Sequence, residues 1–206
     1  MKFTEAHKQK KEGVMRKWKH HFPIYDSYFE EIQNKPLRLL EIGVAWGGSL
    51  FTWQQYFPYA FITGIDTNPE CQKFEKENIK VFIGDQADST FLKQVNQQTG
   101  PFDIIVDDGG HMMNQQITSF KTLFPLLNDG GFYVIEDIHT SYMEKYQDGE
   151  EKTVDFLRGL VDNLHFWAIE GKKPGYFSLN ISFVGFYNGI VFIKKGKNRK
   201  GEVLSE

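Results

Sequence analysis

At 206 residues the chain has the length of one domain with a full core, and hydrophobic residues at 40%, among them 19 Phe, supply the material for it. Its single cysteine, Cys71, excludes an intramolecular disulfide and a zinc-finger framework, and fits a reducing cytoplasm. No run of 18 apolar residues is present and Met1 is followed by charges, so neither a membrane span nor secretion is expected, while the net charge of -3 argues against a general affinity for nucleic acid.

That charge is unevenly spread. Residues 1–21 hold seven Lys/Arg against two Glu, for +5, which leaves -8 for the rest. Residues 3–33 read as one or two amphipathic helices interrupted near Pro23, with Val14, Trp18, Phe22, Tyr25 and Phe29 as inward positions. The basic stretch His7–His21 reads as a solvated helix face or a site for an anionic substrate. Domain boundaries are expected at residues 1–35 for this helical segment, 36–196 for the main domain and 197–206 for a flexible tail.

After Asn34-Lys35-Pro36 comes the apolar run Leu39-Leu40-Glu41-Ile42, short enough for a buried strand, followed by three glycines within six residues, Gly43, Gly47 and Gly48. Such a turn lets backbone approach a ligand closely, and a helix from Ser49 to about Tyr56 would aim its free N–H groups back at it. Glu41 at the strand end would repel a pyrophosphate, so the turn suits hydroxyls or a cationic group. The pattern is neither the dinucleotide G-x-G-x-x-G nor a P-loop. Strands are then predicted at Phe61–Asp66, Val81–Asp85, Phe102–Asp107 and Phe132–Glu136, with helices at about Pro69–Glu77, Thr90–Gln98 and Asn114–Leu127. This alternation specifies a parallel sheet with helices on both faces, whose ligands lie at the carboxyl ends of the strands. Past a loop at His139–Glu151 expected to lie over the site, and a helix carrying Val154, Leu157, Leu160, Val161 and Leu164, the Asn188-Gly189 turn predicts a hairpin that brings the last strand into the sheet reversed.

Every parallel strand ends in an acid: Glu41, Asp66, Asp85, Asp107-Asp108 and Glu136-Asp137. Asp66 is placed to accept hydrogen bonds from both hydroxyls of a ribose, which SAM and NAD share. The sharper pair of segments is IIVDDGGH at Ile104–His111 and VIEDIHT at Val134–Thr140. Asp108, Glu136 and Asp137 converge there with no lysine or arginine beside them in sequence, so they demand a cation, and hard oxygen ligands with open positions suit Mg²⁺. His111, three residues past Asp108, is placed as a general base.

The segments LLEIGVAWGGSL, ITGIDTNP, IGDQAD, FDIIVDDGGH and YVIEDIHTSY, over about residues 36–143, resemble the class I S-adenosylmethionine (SAM) methyltransferases, and in particular the Mg²⁺-dependent sugar O-methyltransferases of macrolide biosynthesis and a related cephamycin-biosynthesis protein. The resemblance implies a Rossmann-like α/β fold, a mostly parallel seven-stranded sheet with an antiparallel last strand and helices on both faces. It implies SAM contacts from Glu41, Gly43, Ser49, Asp66, Asp85, Gln86 and Asp107, with Asp85 and Gln86 on the adenine; Mg²⁺ ligands Asp108, Glu136 and Asp137; and His111 as the base. The departure is size, since that family carries a substantial N-terminal region that helps build the oligomer and the acceptor pocket, and here about 35 residues precede the sheet. A small-molecule or glycan acceptor and a cytoplasmic location are expected, and a homo-oligomer is left open. Trp46, Trp53, Tyr142 and Tyr146 are candidates for the acceptor pocket, Tyr142 foremost and Trp53 as core. A catechol-type O-methyltransferase and a non-catalytic SAM- or metal-binding accessory protein are the competing readings.

Overall fold

The computed structural model describes residues 1–204; Ser205 and Glu206, the end of the expected tail, lie outside the described residues. Seven strands form one sheet: β1 (Arg38–Ile42), β2 (Phe61–Asp66), β3 (Ile79–Ile83), β4 (Ile104–Asp107), β5 (Phe132–Glu136), β6 (Ile181–Tyr187) and β7 (Ile190–Lys195), in the order β3-β2-β1-β4-β5-β7-β6. The first five are parallel, and β7 runs antiparallel to both β5 and β6, as the hairpin at Asn188-Gly189 requires. The sheet expected from the alternation and the turn is the one observed.

Side-chain alternation divides the interior into two layers. Leu39, Ile104, Val106, Val134 and Phe192 point to one face, with α1 (Phe3–Gln9), α2 (Phe22–Phe29) and α3 (Gly48–Tyr56). Leu40, Ile105, Tyr133, Ile135 and Val191 point to the other, where α4 (Ser89–Thr99), α5 (Met113–Leu123), α6 (Thr153–Leu164) and α7 (Tyr176–Asn180) pack. Between β1 and β4 the chain departs in opposite directions, so a crevice opens at their carboxyl ends. Among the described residues no helix is long and apolar enough to cross a membrane.

The N-terminal segment departs most from expectation. Its break lies over residues 10–18 and not near Pro23, which sits in the first turn of α2, where a missing N–H leaves nothing unpaired. Phe22, Tyr25 and Phe29 are buried as expected, whereas Val14 and Trp18 are 61% and 52% exposed, because helical spacing does not carry through an extended stretch. β3 ends two residues earlier than expected, which leaves Asp85 in the following loop, and the predicted helix at 69–77 is a 3-10 turn, Pro69–Phe74. Val161 faces outward from α6.

α1 and α2 share the core of the sheet. The Phe3 ring lies 4.6 Å from Trp53, 5.1 Å from Phe22 and Tyr25, and 5.3 Å from Tyr56, in tilted and edge-on arrangements that add about 0.5–1.5 kcal/mol per pair beyond area burial. Phe3→Ala is therefore expected to lower stability by about 3–5 kcal/mol, read as a lower urea midpoint with an unchanged slope.

Candidate active site

The turn after β1 is tight for two separate reasons. Gly43 has φ +95°, and a Cβ there would stand 2.2 Å from the Asp108 carbonyl oxygen, so only glycine lets β1 and β4 close together at their ends. A Cβ on Gly48 would stand 2.3 Å from the Val14 carbonyl carbon. That second approach is made by the protein itself. Residues 13–15 lie against the turn, with the Gly48 N–H donating to the Val14 carbonyl at 3.3 Å and Val14 bridging Gly47. The Gly48 N–H, just before the helix expected from Ser49, is thus taken by the chain's own N-terminal segment.

Beyond Val14 the segment crosses the crevice and inserts Lys17. Its ammonium lies 2.5 Å from Glu136 Oε1, 2.6 Å from Asp108 Oδ2 and 3.3 Å from Glu41 Oε1, with its side chain only 1% exposed. The premise that these acids meet without a basic neighbour is corrected by this contact: the cation they require comes from 91 residues before Asp108. Trp18 Nε1 donates to Asp137 Oδ1 at 2.8 Å, the Tyr25 hydroxyl donates to Glu136 Oε1, and His21 Nδ1 meets Glu136 Oε2 at 3.1 Å.

The adjacent acids Glu136 and Asp137 face different partners because Asp137 adopts φ +55°, a left-handed conformation that aspartate tolerates. Glu136 points inward to Lys17, His21 and Tyr25, whereas Asp137 points to His111, with Nε2 3.5 Å from Oδ2, and to His139. His111 also has positive φ, +59°, and its Nε2 lies 4.0 Å from Asp108 Oδ1. The Thr140 hydroxyl, within reach of the carbonyls of both His111 and Asp137, ties the two loops together. Asp108, His111 and Asp137 can each bring one donor atom within 4.8 Å of the others.

Burial works against the charge on Lys17, but Asp108, Glu136 and Glu41 outweigh it and hold the ammonium well above the usual lysine range. Burial alone would raise the Glu136 carboxyl; Lys17 and His21 bring it down to about 2. Burial and repulsion from Glu136 push Asp108 well above the usual aspartate range, and burial raises Glu41. Lys17 and His21 together thus favour the charged form of Glu136, while Asp108 and Glu41 stay raised by burial.

Two connected cavities meet at Gly43, Ala45, Asp108 and Gly109. The larger, 680 Å³, is walled by residues 14–18, Trp46, Ser49, Asp108, His111, Glu136, Asp137 and Tyr146. The smaller, 230 Å³, is lined by Asp66 and Gln86 among others. Asp66 Oδ2 accepts from the N–H groups of Val44 and Ala45, and Oδ1 from Asn68, which leaves acceptor capacity on Oδ1. Asp85 turns away to accept from the Ala87 N–H, and Asp107 is fully buried between Gln86 and Ser119, so neither lines a cavity. Glu41 is fully buried, with one oxygen toward Trp53 and Lys17 and Oε2 without a partner. Tyr142, expected over the acceptor, lies on a separate hollow with His139, Arg158 and Tyr187, because the 3-10 turn Ile138–Tyr142 carries it past the crevice. Lys17, Trp18, His21 and Tyr25 were missed as site residues, and their sequence neighbourhood carries no motif.

A strand order of 3-2-1-4-5-7-6 with β7 reversed, and a glycine turn opening onto an acidic rim, define a class I, Rossmann-like methyltransferase fold. No family model matches the chain. Within that class its resemblance to sugar O-methyltransferases is borne out by two curated relatives and a solved structure. It is 36% identical over 202 residues to the 8-demethyl-8-(2-methoxy-alpha-L-rhamnosyl)-tetracenomycin-C 3'-O-methyltransferase of Streptomyces olivaceus, covering 90% of this chain and 52% of that enzyme. To the mycinamicin VI 2''-O-methyltransferase of Micromonospora griseorubida it is 34% identical, over 88% of this chain and 49% of the other. The solved MycE methyltransferase, in complex with Mg, SAH and mycinamycin VI, superimposes with a TM-score of 0.85 at 32% identity, over 98% of this chain and 55% of that one. The chain spans about half the length of the curated relatives it matches.

Cys71 borders the same turn: its thiol is buried, lies 3.4 Å from the Ala45 carbonyl, and is pushed by burial and by Asp66 up to about 11. At pH 8 only about a thousandth would be thiolate, against roughly a quarter for a free thiol. Ellman's reagent is therefore expected to leave Cys71 unreacted at pH 8 in the folded protein and to titrate one thiol in denaturant.

Proposed function

We propose that the chain is an O-methyltransferase that moves the methyl group of SAM, with Mg²⁺ assisting, to a hydroxyl of a sugar-like or polyhydroxylated acceptor. The observation that carries this reading is the gathering of Glu41, Asp108, Glu136 and Asp137 on one rim beside the glycine turn, in a chain 36% identical to a sugar O-methyltransferase. The relatives' acceptors are rhamnosyl-tetracenomycin and mycinamicin VI by name, which supports a glycoside acceptor over a catechol.

The residues fit both groups. The unpartnered Glu41 Oε2 is an acceptor for the methionyl ammonium of SAM, the free capacity of Asp66 Oδ1 suits a ribose hydroxyl, and Gln86 stands at the far end of the smaller cavity. Asp85 and Asp107 would act through the loop and through Gln86 and not by contact. Hard donors from Asp108 and Asp137, beside Glu136, suit a divalent ion, and the Lys17 ammonium already stands among them as a cation. When bound, Mg²⁺ would acidify the acceptor hydroxyl and fix its orientation.

The chain's own residues do the rest. Trp46 and Tyr146 wall the larger cavity with flat apolar surface on which a sugar ring would pack. In this reading the acceptor hydroxyl attacks the sulfonium methyl, so that the C–O bond forms as the C–S bond breaks and S-adenosylhomocysteine departs, and His111 Nε2, the ring nitrogen facing Asp108 and Asp137, would take up the hydroxyl proton. Alignment contributes up to ~7–11 kcal/mol of the barrier, and a general base about 10²–10⁴-fold in rate, so positioning dominates.

Asp108→Asn is expected to lower Mn²⁺ affinity at least tenfold by calorimetry, an order of magnitude set by the loss of a charged ligand, and to remove nearly all turnover. His111→Ala is expected to lower kcat by about 10²–10⁴. Full activity in EDTA would remove the ion from this reading. Methylation of catechols as fast as of glycosides would remove the sugar, and tight SAM binding without transfer to any acceptor would favour an accessory protein.

A further inference from the structure

We propose that Lys17 is an exchangeable internal counter-ion: its ammonium holds Asp108 and Glu136 together until a divalent cation binds, and then leaves both, carrying residues 14–18 away from the larger cavity. This rests on the metal reading above and adds a competitor inside the chain.

The geometry of Glu136 carries the argument. Its Oε1 accepts from Lys17 and Tyr25 and its Oε2 meets His21, whose other ring nitrogen lies 3.2 Å from the Asn188 carbonyl. Of these partners only Lys17 lies between Glu136 and Asp108. An ion bonded to both acids at about 2.1 Å needs the side of each that the ammonium occupies at 2.5 and 2.6 Å, and two cations do not share it. Glu136 therefore becomes a ligand only when Lys17 withdraws. Charge favours the exchange, because one ammonium faces three carboxylates, Glu41, Asp108 and Glu136, which a dication matches more closely.

The segment is built to move. Between α1 and α2, residues 10–18 form no helix and a single isolated bridge; beside Lys17, their ties to the rest are the 3.3 Å Gly48–Val14 bond, the exposed Glu12–Lys76 ion pair, Met15 against the core, Arg16 over the Trp46 ring, and Trp18 against Asp137 and the His139 ring. Both ends are pinned by the buried Phe3, Ala6, Phe22 and Tyr25, so release of Lys17 lifts a tethered strap and leaves the core intact. The same movement would free Asp137 from Trp18.

The test uses the full chain and Mn²⁺ alone. Calorimetry is expected to show Lys17→Met binding Mn²⁺ at least tenfold more tightly than the unsubstituted protein, and saturating Mn²⁺ is expected to speed tryptic cleavage after Arg16, Lys17 or Lys19 in the unsubstituted protein at least fivefold. Equal or weaker Mn²⁺ binding by Lys17→Met overturns the exchange. So does tighter binding with unchanged cleavage at saturation, which would mean that Lys17 only repels the ion from a fixed position. If Lys17→Met does not fold, the cleavage measurement decides alone. Absence of Mn²⁺ binding in both proteins overturns the metal reading itself, and this inference with it.

Discussion

Negative side chains collected along one sheet edge repel each other, and the rim of this protein is arranged around that repulsion. Glu41 ends β1, Asp108 follows β4, and Glu136 closes β5; Lys17 is placed where it touches all three. Taking such charges out of water is costly unless each is paired and hydrogen-bonded. The N-terminal segment supplies the pairing with Lys17, Trp18, His21 and Tyr25, all within nine residues of one another. The aromatic packing of α1 and α2 serves this end as well as stability, because Phe3, Phe22 and Phe29 fix the two ends of the strap from which Lys17 reaches the crevice.

The glycine turn and the strap are one unit. Gly43 lets Asp108 come close to the end of β1, and Gly48 lets Val14 come close to the start of α3. A ligand-binding turn of this kind is commonly read as empty space for a phosphate or nucleoside. Here part of that space holds the chain's own backbone, and the smaller cavity beside it is lined by Asp66 and Gln86. The left-handed backbone at Ala45, His111 and Asp137 lies around the same crevice, where neighbouring contacts hold conformations that are otherwise sparsely populated.

Much of this was legible in the residues. Alternating strand and helix patterns dictated a doubly covered sheet, the Asn-Gly turn dictated a reversed last strand, and the acids at the strand ends marked the rim where Glu41, Asp108 and Glu136 gather. Two of the departures are local. Val14 and Trp18 were assigned inward positions by helical spacing, but the segment is extended; Asp85 was assigned to a strand end that falls two residues earlier. Local patterns describe a segment only while its neighbours leave it regular.

The sequence by itself determined the class of fold, the acidic rim and the relationship of Asp108, His111, Glu136 and Asp137, because these depend on hydrophobic period and on residues near strand ends. Tertiary structure alone decided that Lys17, one base among seven in the first 21 residues, is the one buried among the acids, and that Glu136 and Asp137 face opposite ways. Nothing local separates Lys17 from Arg16 or Lys19. The pairing is set by packing of α1 and α2 across contacts 91 and 119 residues apart, a distance over which periodicity carries no information.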